Sequence, residues 1–239
     1  MITRLLAILK PPLLIDKALH RFDAIDDSQI VYATSPTVQA LLNEGVGAST
    51  DEIYQMWNWG GHFNISYDSE EGAINVPGGN IGTSFAPRNQ AVGHKPITIH
   101  NMSVYFVVKT VSSNGSRMIA HDGAAGLQLR FETGNGRLLY YSGGSGLRYF
   151  GVGFTAGVKN IVHIHNGASN QVLGIDDLEQ TESAASASDR IDRVVTWQSG
   201  QLAMNGKFYE MLMFAPVHTS EQRAQVIDEL KARHGVTHF

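Results

Sequence analysis

The chain has no cysteine in its 239 residues. Neither a disulfide nor a thiolate-bound metal therefore holds its fold together. Charged side chains are also few, at 17%, and the formal net charge is −4. A protein that binds nucleic acid needs a clustered basic face, and this composition does not supply one. Long apolar runs are missing too. The most hydrophobic stretch near the N-terminus, Leu5–Leu9, is cut by Lys10, Pro11 and Pro12 after five residues. That is short of the ~7–15 residues of a signal-peptide core and far short of the ~20 that span a bilayer. No membrane span and no export signal are expected, and residues 1–18 read as a retained N-terminal arm. The Gly-rich segments at Gly143 and Gly151 are not followed by Lys-Ser/Thr and open no helix, so they are turns and not phosphate loops.

Short apolar segments separated by turn residues are abundant. Val104–Val108 is a continuous apolar run suited to a strand buried on both faces. Ser116–Ala120, Leu127–Phe131, Arg137–Tyr141, Val158–His165 and Val172–Ile175 are strand-like and joined by Gly- or Asn-rich connections. Val194–Trp197 and Leu202–Met204 flank Ser199-Gly200, and Phe208–Phe214 is a further strand stopped by Pro216. A short helix is expected at Pro36–Glu44, and a surface loop at Glu182–Asp189. The C-terminus carries the clearest local signal. Thr219 stands three residues before Gln222, the spacing of a capping box. Val226, Ile227 and Leu230 follow at helical spacing, and Gly235 provides a left-handed stop. Many short strands with one terminal helix predict an antiparallel β-sandwich of residues 19–239, including a helix over 219–234. In the arm, Leu5, Leu9 and Leu13 are the candidates for docking on a partner.

Several of these segments resemble the LamG-like, concanavalin A-type jelly-roll domains. The resemblance rests on Gly206, Tyr209, Glu210, Met211 and Met213, followed by Ser220, Glu221, Arg223, Val226, Leu230 and Gly235. Arg21-Phe22-Asp23-Ala24 is similar to the opening strand of those domains. Trp57 with Gly60, Gly61 and His62 looks like a reduced form of one of their turns, whose Asp and Ser are missing here. The likeness extends over residues 19–235. It implies an all-β jelly-roll sandwich and leaves activity to be argued from sites.

Each candidate site has a plain structural reading beside it. Asp177 and Glu179 have the period-two spacing of a glycanase carboxylate pair. The flanking pattern and third acid are absent, so a solvated turn is the simpler reading and no enzyme is expected. His163 and His165 share one strand face, a spacing two zinc ligands use, but no third ligand stands at motif distance and no transition metal is assigned. The resemblance implies Ca²⁺ as the one ion to watch for, with Asp122 in the loop 121–126 as its candidate ligand; otherwise no cofactor is expected. Trp57 is expected to pack in the core, as its counterpart does in the resembled turn. That leaves Trp59 as the residue to stack on a sugar ring, with Tyr140-Tyr141 as further aromatic candidates.

A LamG-like domain normally works outside cells, whereas no export signal is expected in this chain. The expectation is therefore a structural or adhesion component of a phage-type virion, assembled in the host cytoplasm. It would hold other virion proteins through its arm, as a homo-oligomer or part of a larger assembly, and contact surface glycans. A bacterial carbohydrate-binding module is the alternative, and a concanavalin A-class glycoside hydrolase the second.

Overall fold

The structure is a computed structural model that describes residues 13–34, 36–46, 55–59, 65–79, 84–89, 93–110, 116–122, 127–132, 136–142, 146–150, 154–182, 188–195 and 202–237. Leu5, Leu9 and the Gly60-Gly61-His62 turn lie outside the described residues.

The strand Met102–Thr110 accounts for the layering. Every residue in it except Lys109 is buried, so both of its faces must be covered. Val104, Phe106 and Val108 enter one apolar cluster, and Tyr105 and Val107 enter another. The first cluster is the core between two sheets. The second lies between the outer sheet and the C-terminal helix.

The outer sheet is antiparallel. Leu202–Phe214 is its longest strand, and Ala73–Gly79 and His20–Asp23 share one of its edges. Met102–Thr110 lies along its other edge. Lys159–Asn166, Gln171–Ile175 and Leu178–Glu182 follow in order. The second layer runs Ile30–Thr34, Thr37–Leu42, Gln55–Trp59, Ser84–Asn89, Arg193–Val194, Ser116–His121, Gln128–Glu132, Arg137–Ser142 and Gly146–Phe150. Phe22, Phe106 and Met211 from the outer sheet meet Val38, Phe85, Phe131 and Leu138 from the second. This is the expected all-β sandwich with a C-terminal helix.

Helix α1, Ser220–His234, forms as its local signals predict. The Thr219 hydroxyl accepts from Gln222 N at 3.3 Å, and Thr219 N donates to the Gln222 side chain at 2.9 Å. Gly235 closes the helix at φ +64°. Val226, Ile227 and Leu230 bury onto Tyr105, Val107, Ile161, Tyr209 and Leu212. No helix among the described residues is long and apolar enough to cross a membrane.

One expectation is corrected. Pro36–Glu44 is no helix: Thr37–Leu42 is a strand, paired with Ile30–Thr34 on one edge and Gln55–Trp59 on the other. Val38 and Ala40 enter the interior in alternation, and pairing on both edges overrides local helix preference. Of the expected loop Glu182–Asp189, Glu182 ends the strand Leu178–Glu182, which pairs with Gln171–Ile175, and residues 183–187 lie outside the described residues.

The root of the arm belongs to the sandwich. Leu14–Lys17 is a 3-10 turn, and Ile15 and Ala18 are buried under α1. The Glu229 carboxylate of α1 accepts from Leu14 N and Ile15 N, each at 2.9 Å. Leu13, where the described chain starts, is exposed.

Candidate functional site

The polar groups of the outer face converge where α1 begins. Strand register sets a row across neighbouring strands: Leu212 opposite Tyr105, Tyr105 opposite His163, His163 opposite Gly174 and Gly174 opposite Glu179. Residues directly opposite point to the same side of a sheet. Gly174 leaves a gap in the row, and the His163 ring occupies it. A Cβ on Gly174 would stand 2.3 Å from His163 Cε1 and 2.6 Å from the Leu178 carbonyl oxygen. Two residues along, on the same face, Ser103 lies opposite His165.

A chain of hydrogen bonds links these side chains. His163 Nε2 lies 3.1 Å from the Asp176 carbonyl oxygen and must donate to it. Nδ1 of the neutral ring is therefore an acceptor, and it lies 2.8 Å from His165 Nε2. His165 Nδ1 accepts from Ser103 Oγ at 2.8 Å, and Ser103 Oγ in turn accepts from His218 N at 2.8 Å. Tyr105 stacks on His163, and its hydroxyl reaches His218 Nδ1 at 2.9 Å. Asp176, at φ +52°, turns the hairpin, and its carboxylate accepts from Ile161 N at 2.9 Å. The carbonyl that fixes His163 is thereby held in place.

Glu179 completes the group. Donor atoms of His163, His165 and Glu179 lie within 4.8 Å of one another. Arg223, in the first turn of α1, grips Glu179 with two bonds of 2.7 Å. Burial pushes His163 down to about 4, and burial followed by the charge of His163 holds His165 well below its usual value. Burial, then Arg223, also brings His218 down to about 4. Burial would raise Glu179, but its bond to Arg223 and the charge of Arg223 outweigh this and hold it below the usual carboxylate range. Beside this group, Asp177, Leu178, Glu179, Ser220, Ala224 and Ile227 line an open cleft of about 540 Å³.

Asp177, the other half of the acidic pair, bonds Lys231 of α1. Both carboxylates of the pair are thus paired with helix cations. Asp122 is buried and receives Arg190 Nε and Nη2, each at 3.1 Å. Residues 123–126 of its loop lie outside the described residues. Trp57 is half-buried, with the Arg88 guanidinium 4.7 Å from its ring centroid. Trp57 and Trp59 belong to one strand, Gln55–Trp59. The Trp59 side chain lies outside the described residues. Tyr140 is fully buried, bonded to Asp189 and to Gln171, which removes it as a stacking surface.

A second buried charge group holds the other end of α1. Glu210 bonds Arg21 at 3.0 Å, Arg233 at 3.2 Å and His234 at 2.7 Å, and Asp23 bonds Arg21 and Arg233. Burial opposes ionisation of Glu210, yet the His234 bond and the neighbouring cations keep its carboxyl below the usual value.

No protein-family model and no curated protein matches the sequence. Solved structures do match in fold. A Trypanosoma rangeli sialidase in complex with sialic acid superposes with TM-score 0.60 at 8% identity, covering 90% of this chain and 33% of the sialidase chain. The botulinum neurotoxin serotype D binding domain superposes with TM-score 0.56 at 11% identity, covering 90% of this chain and 52% of that one. The same neurotoxin domain in complex with N-acetylneuraminic acid gives TM-score 0.54 at 12% identity. This chain spans a third to a half of the length of these proteins. At such identities the likeness is one of fold.

Proposed function

We propose that this protein is a non-enzymatic, glycan-binding β-sandwich that serves as an adhesion or structural component of a larger assembly of the phage-virion type. The observation that carries the glycan reading is the superposition of nine-tenths of the chain on a domain solved with N-acetylneuraminic acid bound. The cleft beside Leu178 offers what a sugar requires. Leu178 gives an exposed apolar surface, and the Ser220 hydroxyl and the Asp177 and Glu179 carboxylates give polar edges. The non-enzymatic reading is supported by the pairing of Asp177 with Lys231 and of Glu179 with Arg223. A general acid needs a carboxyl raised toward neutrality, and Glu179 is shifted the other way. The assembly reading rests on the arm: its root is clamped to α1 by Glu229, and the chain leaves that clamp at an exposed Leu13.

The test is a glycan array carrying sialylated and neutral glycans, run beside a hydrolysis assay on the glycans retained. Saturable retention without hydrolysis is expected, and weaker retention by Leu178→Asp would place the sugar in the cleft. Absence of retention on every glycan overturns the glycan reading. Turnover that disappears in Glu179→Gln would replace it with the glycoside hydrolase. For the arm, deletion of residues 1–12, which spares the clamped root, should leave the melting temperature in place and abolish self-association or particle binding. A deletion that changes neither overturns the docking role.

A further inference from the structure

We infer that His163, His165 and Glu179 form a binding site for one divalent transition metal ion of the zinc class, with its remaining coordination position facing the cleft between the 171–182 hairpin and α1. This inference is independent of the glycan reading.

Three features converge on it. The first is the donor set. Two imidazole nitrogens and a carboxylate oxygen lie within 4.8 Å of one another, and two histidines with one acid is a set that suits zinc and leaves a fourth position open. The described residues contain no other such group of three. The second is orientation. A metal-bound histidine usually donates its other ring N–H to a carbonyl or similar acceptor, which fixes its tautomer. His163 meets this condition: Nε2 donates to the Asp176 carbonyl, so Nδ1 carries a free lone pair on the side of His165. The Asp176 carboxylate, anchored on Ile161 N, holds that carbonyl, and the missing side chain at Gly174 makes room for the ring.

The third is that the hydrogen-bonded pair can convert into a ligand pair: at a Zn–N distance of about 2.0–2.1 Å a tetrahedral site needs the two nitrogens about 3.3 Å apart, so they separate by about half an ångström from 2.8 Å. In the hydrogen-bonded pair, His165 Nε2 donates to His163 Nδ1 across 2.8 Å, and Ser103 donates to His165 Nδ1. To bind metal, His165 exchanges tautomers: its proton moves from Nε2 to Nδ1, where Ser103 Oγ accepts it. A hydroxyl has two lone pairs, and only one is taken by His218 N. No net proton is lost, and both ring nitrogens facing the centre become ligands. Each Glu179 oxygen accepts one bond from Arg223. A carboxylate has about four lone-pair sites, so a ligand position remains on each oxygen. The histidines are buried while the Glu179 side chain is 28% exposed, so the ion enters from the Glu179 side.

The alternative is a self-sufficient hydrogen-bonded pair that binds nothing, and the experiment separates the two. Untagged full-length protein is stripped with chelator, loaded with ZnCl₂, passed through gel filtration and assayed for zinc by mass spectrometry; affinity is measured by competition with a chromophoric chelator. One ion per chain is expected. Glu179→Gln, at the cleft surface, should fold normally and weaken binding at least tenfold, and Ser103→Ala should weaken it about 10–100-fold, the usual effect of losing an outer partner. Cobalt loaded in place of zinc should show the intense visible absorption of four-coordinate Co²⁺, lost in His165→Gln. Protein that elutes without zinc overturns the site. So does zinc retained equally by wild type, Glu179→Gln and His165→Gln, which would place it on other histidines.

Discussion

Gly174→Ala tests the row that joins the two hairpins to α1. The added methyl would lie 2.3 and 2.4 Å from two atoms of the His163 ring and 2.6 Å from the backbone carbonyl of Leu178. Only the ring can yield, and it has nowhere to go that keeps both bonds, to Asp176 and to His165. Overpacking a core costs about 1–3 kcal/mol. A buried polar group left without its partner costs about 1–3 kcal/mol more. Together they give a destabilisation of about 2–6 kcal/mol. In a domain of this size each kcal/mol lowers the melting temperature by about 2–4 °C, so a fall of about 5 °C or more is expected by calorimetry. Gly157→Ala is the comparison. Its Cβ would meet nothing within 4 Å, leaving the left-handed backbone strain of about 1–2 kcal/mol. If Gly174→Ala melts no lower than Gly157→Ala, the His163 ring does not sit over Gly174 as described.

Three further outcomes follow from other parts of the fold. His20 is buried against Asn43 and brought down to about 4 by burial and then by Lys95. It stays neutral in the fold while the unfolded chain takes up a proton below about 6.5. Its contribution is fully present above that pH and is lost as pH falls toward 4, by up to about 3 kcal/mol; urea melts of His20→Gln should show a shallower acid limb than wild type. Glu210→Gln removes the buried anion between Arg21, Arg233 and His234. It should cost about 3–5 kcal/mol, and an unchanged denaturation midpoint would refute the structural role of this group. Thr219→Ala deletes the side-chain half of the capping box and should cost about 1 kcal/mol in the same assay, with Thr219→Ser restoring most of it.

Sequence signals of short range were legible and those of long range were not. The helix follows from Thr219, Gln222 and Gly235 without reference to any other part of the chain, and it forms as expected. The strands around the Gly-rich turns were likewise readable from neighbouring residues. Thr37–Leu42 was misread because its strand character comes from two edge partners, one of them Gln55–Trp59, beyond any local window. The missed member of the candidate site was Glu179. His163 and His165 show their shared face in sequence, but Glu179 reaches them only through the register of two consecutive hairpins. The signal was present in Ile175-Asp176-Asp177-Leu178. A two-residue turn there places Gly174 between His163 and Glu179, and the glycine leaves the space that lets them meet. The Arg223 clamp on Glu179 had no such cue, because α1 packs across the sheet from a remote part of the chain.

The strand Leu202–Phe214 carries the first strand, His20–Asp23, on one edge and is itself the last strand before α1. The first strand therefore waits for the last. During synthesis His20–Asp23 leaves the ribosome well before its partner exists, and this edge of the outer sheet closes only after residues 210–213 have emerged. Contacts so far apart in sequence make folding slow, and until closure the apolar flank of Met102–Thr110 stays open to neighbouring chains. A chain shortened before Leu202 would lack the partner of both His20–Asp23 and Met102–Thr110 and would keep that edge open.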